Sequence, residues 1–72
     1  MNVNTVNVVE YSGDSLMSIR SFTDDEQGNK EAEGMFARIA KENGGDESEM
    51  PFYLEEGYYE TGDYQLFLTH SS

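Results

Sequence analysis

Between Tyr53 and Tyr64 the chain reads YLEEGYYETGDY, which sets four of its five tyrosines beside four carboxylates with no Lys or Arg among them. Carboxylates accept paired hydrogen bonds from guanidinium groups, and a Tyr ring offers a large contact of low conformational entropy on which a guanidinium can stack. Glu55, Glu56, Tyr58, Tyr59, Glu60 and Asp63 are therefore the candidate partner-binding residues. Asp46, Glu47 and Glu49, just upstream, would steer an approaching cation by long-range attraction. The competing reading is a tyrosine-rich strand whose charges serve solubility.

Other chemistry is poorly supplied. The one imidazole, His70, stands two residues from the last residue and makes no zinc site alone, so a frayed strand end is the simpler expectation. Asp24, Asp25 and Glu26 are closely spaced acids, but no register puts Gly and Glu where a calcium loop requires them. Serine catalysis lacks a base other than His70, and cysteine chemistry is absent because the chain has no cysteine. The similar turns SGD (12–14) and TGD (61–63) lead into strands rather than helices, which marks them as tight turns and not as phosphate loops. Neither enzyme activity nor a metal or cofactor is expected.

Fifteen acids against four bases give a net charge of −11 over 72 residues. Such a chain should avoid bare nucleic acid and anionic membranes, because phosphate contacts need clustered Lys and Arg. The excess is unevenly placed. Residues 29–43 are neutral, residues 1–28 carry −4, and residues 44–72 carry seven acids and no Lys or Arg. The expected partner is the basic surface of another protein, in the extreme a nucleic-acid-binding cleft that spaced carboxylates occupy by mimicking phosphates. In size, acidity and lack of catalytic apparatus the chain resembles the small phage-encoded inhibitors of host nucleases and defence complexes, a likeness of composition rather than motif. The alternative is a self-associating structural protein, a homodimer that pairs through a sheet edge. The start MNVNTVNVVE has neither a basic opening nor a continuous apolar run, so a cytoplasmic chain without a membrane segment is expected.

The elements that must hold these residues follow from pattern. Val3–Tyr11 is β-favouring, and Ser12-Gly13-Asp14 turns it into a second strand, Leu16–Phe22. In that strand neither face is purely polar, which asks for cover on both sides. Ala32, Met35, Phe36, Ile39 and Ala40 repeat at helical spacing, and the sequence predicts a helix capped by Asn29 and ended by Gly44-Gly45. Arg38 and Glu42 are spaced to pair on its surface. Pro51 should open a short helix that runs to Glu56 and stops at Gly57. Tyr64–His70 alternates as a strand. The expected fold is α+β in one small domain spanning 1–72: a small antiparallel sheet of three or four strands with one amphipathic helix packed on one face, in the order β-β-α-short helix-β. Its core would be Val6, Val8, Ile19, Phe22, Ala32, Met35, Phe36, Ile39, Leu54, Leu66 and Leu68.

Overall fold

The computed structural model describes residues 4–71. Val3, at the expected start of the first strand, lies outside them. Along the chain run β1 (Thr5–Ser12), β2 (Ser15–Thr23), α1 (Glu26–Glu42), a 3-10 turn (Glu47–Glu49), α2 (Met50–Glu56), β3 (Tyr58–Thr61) and β4 (Tyr64–Ser71). The four strands form one antiparallel sheet in the order β2-β1-β4-β3. The α+β class, the sheet and the placing of both helices agree with the expectation from sequence.

Two hairpins build the sheet. Each closes through a two-residue Gly-Asp loop in which the glycine, Gly13 (φ 61°) or Gly62 (φ 55°), adopts a left-handed backbone. Glycine at the first loop position is what a two-residue hairpin of matching twist demands. The two turns lie side by side, with the Gly13 amide donating to the Asp63 carbonyl at 2.7 Å. One extra residue in β2, opposite the Glu10–Tyr11 step of β1, makes a bulge.

Helix α1 packs across β2, β1 and β4, and α2 fills the corner between α1 and β3. The register puts Val6, Val8, Leu66 and Tyr59 on the covered face of the sheet, and all four are buried there with Ala32, Phe36 and Ala40 of α1 and Met50 of α2. Phe22, Met35, Ile39, Leu54 and Leu68 pack around this centre half-buried. Met50 and Tyr59 join the core although the sequence reading omitted them, because α2 folds down onto β3.

Three expectations are corrected. Ile19 is not core: it pairs with Val9 on the opposite face of the sheet and is 53% exposed. The N-cap of α1 is Asp25 rather than Asn29, its carboxylate accepting from the Gly28 amide at 2.7 Å. Gly28 sits inside the first turn because the helix there runs against β2; a Cβ at this position would fall 1.7 Å from the Thr23 carbonyl oxygen. Asn29 instead donates to Asp24 at 2.6 Å and to the Asp25 carbonyl at 2.9 Å. The Arg38–Glu42 pair does not form. Among the described residues the ion pair is Lys41–Glu47 at 3.6 Å, between exposed side chains where such a contact contributes little.

The predicted end of α1 holds. The Gly45 amide reaches back to the Ala40 carbonyl at 2.8 Å and the Gly44 amide to that of Lys41 at 3.1 Å, the paired closure that satisfies the last carbonyls of a helix.

Candidate functional site on the uncovered face of the sheet

Side chains alternate across a sheet, so the register that buries Val6, Val8 and Leu66 turns their neighbours to the face without helices. On that face one row crosses all four strands, Ile19–Val9–Phe67–Tyr58, each residue paired with the next. The adjoining row toward the turns is Leu16–Tyr11–Gln65–Glu60. The bulge adds Met17 beside Leu16, and these two side chains are 57% and 52% exposed.

The aromatic rings organise this band. Phe67 lies between Tyr11, edge-on at 5.8 Å, and Tyr58, tilted at 5.1 Å. A shallow apolar hollow of ≈270 Å³ opens among Val9, Tyr11, Phe67 and Thr69. Tyr58 donates its hydroxyl to Glu60, and that bond, followed by desolvation, raises the phenol above its ordinary value of 10.0. The far half of the face is polar instead. There Ser21 donates to Asn7 at 2.7 Å and Asn7 to Ser71 at 2.8 Å. The face is thus an apolar, aromatic band bounded on one side by a hydrogen-bonded ladder and on the other by the turns that carry Asp14 and Asp63.

The predicted partner-binding residues separate into three places. Tyr58 and Glu60 are on this uncovered face, and Asp63 is in the turn at its end. Glu55 and Glu56 are exposed in the last turn of α2, in the helical layer, as are Asp46, Glu47 and Glu49 on the connection before it. Asp46 caps that connection: bonds from the Ser48 amide and hydroxyl hold its carboxyl below the ordinary 3.8. Tyr59 is in neither surface group. It is buried, it packs edge-on against Tyr53 at 5.0 Å, and its hydroxyl donates to the Asn43 carbonyl at 3.1 Å. A strand cannot present three successive side chains to one side, so Tyr59 had to leave the face that Tyr58 and Glu60 share.

Two polar residues are tied into the fold, one of them against expectation. His70 is not at a frayed end; it stands opposite Val6 in the ladder, with its Nε2 3.1 Å from the Asn29 side-chain oxygen. Glu10, on the covered face, accepts from Ser18 at 2.6 Å and from Tyr64 at 2.5 Å. Burial first, and then Glu10, push the Tyr64 phenol well above its ordinary 10.0.

Sequence reasoning did not single out Val9, Tyr11 and Phe67. Their signal was the apolar residues on both faces of their strands, a mixture that was read as a need for cover only in Leu16–Phe22. No family model matches the chain, and neither a curated protein nor a solved structure shows significant similarity to it. No helix among the described residues is long and apolar enough to cross a membrane.

Proposed function

We propose that this chain is a non-enzymatic protein-binding module that docks through the uncovered face of its sheet onto a partner presenting basic residues around an apolar contact. The observation that supports the reading is the row Ile19–Val9–Phe67–Tyr58, flanked by Tyr11, Leu16 and Met17, left without cover while the apolar cluster on the other face of the sheet is packed under the helices. An aromatic centre with a polar, charged rim is the usual anatomy of a protein interface. Glu60, Asp63 and Asp14 supply that rim, and the acids of the helical layer, Glu55, Glu56, Asp46, Glu47 and Glu49, add a negative field that speeds encounter with a basic surface. In its finer form the partner is a nucleic-acid-binding protein and the module an inhibitor of it, the carboxylates standing where phosphates would.

The test begins with capture on immobilised protein at low salt and identification of what a salt gradient elutes. Association of that protein is then timed with wild type, with Glu55→Lys/Glu60→Lys and with Phe67→Ser. The charge variant should slow association and the Phe67 variant should speed dissociation, each with its circular dichroism unchanged. An association rate that ignores both ionic strength and Glu55→Lys/Glu60→Lys, with a dissociation rate unchanged in Phe67→Ser, would defeat the reading.

A second reading is self-association, supported by the nine-residue edge strand β2, in which Arg20 is the one charged residue. Sedimentation at several salt concentrations separates the two. A monomer supports the partner surface; a salt-independent dimer with protected β2 amides supports pairing between copies.

A further inference from the structure

The helical layer holds a second surface feature. Beside the β2 edge, where α1 crosses it, runs an open groove of ≈380 Å³ lined by Arg20, Lys30 and Arg38 over an apolar floor of Phe22 and Met35, with Glu31 the one acid. Three of the chain's four cations therefore meet in one place on a molecule of net charge −11. Among the described residues none of the three is in an ion pair. Self-repulsion in an acidic chain is relieved most by spreading cations among the acids. Here they are gathered instead.

The groove adjoins unpaired backbone. The Asp24 amide donates to the Asn4 carbonyl at 3.0 Å, and Thr23 stands opposite Thr5 in the next step of the ladder. In an antiparallel pair the hydrogen-bonded and free steps alternate, so the backbone N–H and C=O groups of Ser21 and Ile19 and the N–H of Thr23 point away from β1, toward the open edge, while the Thr23 carbonyl is taken by the Asp25 amide at 2.9 Å. Arg20 and Phe22, between them, face the helix and the groove.

We propose that this edge binds an extended acidic segment of another polypeptide, which adds a fifth strand beside β2 and lays alternate carboxylates into the groove. Backbone pairing along the free edge supplies affinity, and the alternate side chains supply specificity. On the groove side, Arg20 and Arg38 offer guanidinium forks that suit carboxylates. On the other side, alternate apolar residues of the added strand would extend the Ile19 row. Nucleic acid fits less well, since a phosphodiester can accept from the free amides of β2 but has no donor for its free carbonyls, and the surrounding acids repel a polyanion. The groove is on the opposite face from the docking band, the edge shares only Ile19 with it, and the proposal does not depend on that band's being a docking surface.

The test uses a fluorescein-labelled synthetic peptide of alternating Val and Glu, followed by polarisation and by amide shifts of the isotopically labelled protein. Binding should shift Ile19, Ser21 and Thr23, weaken with added salt, and weaken about tenfold in Arg38→Glu. The same peptide N-methylated on the residues that pair should not bind, a control that leaves the protein untouched. The proposal is overturned if the Val-Glu peptide does not bind, or if the N-methylated peptide or a Val-Lys peptide binds equally well. Equal binding of a thymidine oligonucleotide would also overturn it, as would β2 amides already protected in a peptide-free dimer.

Discussion

The two faces of this sheet are made from the same strands and nearly the same residue types, yet one is a core and the other is bare. On the covered face Val6, Val8 and Leu66 are fully buried under Phe36; on the other, Val9 and Phe67, the residues next in line, meet solvent or one another. The difference arises because one helix of 17 residues and one of seven are enough to roof one side of four strands and no more. Apolar surface left open on a chain this acidic has no role in solubility. It is the feature on which the proposed docking rests.

Substitutions on the two faces should differ widely in cost. The largest effect belongs to the roofed side: Phe36→Ala should cost about 3–5 kcal/mol in urea denaturation, because it empties the centre under α1. Gly28→Ala should follow at about 3 kcal/mol, as its Cβ would meet the Thr23 backbone, which has little room to yield. Tyr59→Phe should cost about 1 kcal/mol through the lost bond to Asn43. Ile19→Ser should change stability by about 0.5 kcal/mol or less, since its side chain is more than half exposed. A large loss on Ile19→Ser would mean that the open face is covered in solution, and the contrast between the faces would collapse.

A subtler probe is alkaline titration. Tyr64 is held protonated by burial and by Glu10, so its phenol ionises later in the folded state than in the unfolded chain. The stability this confers is fully present below the ordinary phenol value of 10.0 and is lost as pH rises beyond it. Tyr64→Phe should flatten the fall in melting temperature above that pH. An unchanged slope would show that Tyr64 does not carry it.

Much of the fold was legible because its signals are local. The helical stripe Ala32–Ala40, the Gly44-Gly45 stop and the Gly-Asp turns each require only a few adjacent residues. The register across strands was not legible. Ile19 reads as core by type, and only its pairing with Val9 puts it on the bare face. The helix start was missed because a glycine in a first turn looks like a defect until the Thr23 backbone beside it is seen. The site residues suffered in the same way: YLEEGYYETGDY is one cluster in sequence, yet α2, the left-handed Gly57 and the pleat of β3 distribute it over two surfaces and the core.

The central seam of the sheet joins β1 to β4, the first strand of the chain to the last, while both hairpins are local. Folding must therefore close a long loop to form the middle of the sheet, so that seam carries the larger entropic cost of closure. Val9 and Phe67 face each other across it, so whatever settles on the bare face clasps the two hairpins together and should retard unfolding of the whole chain.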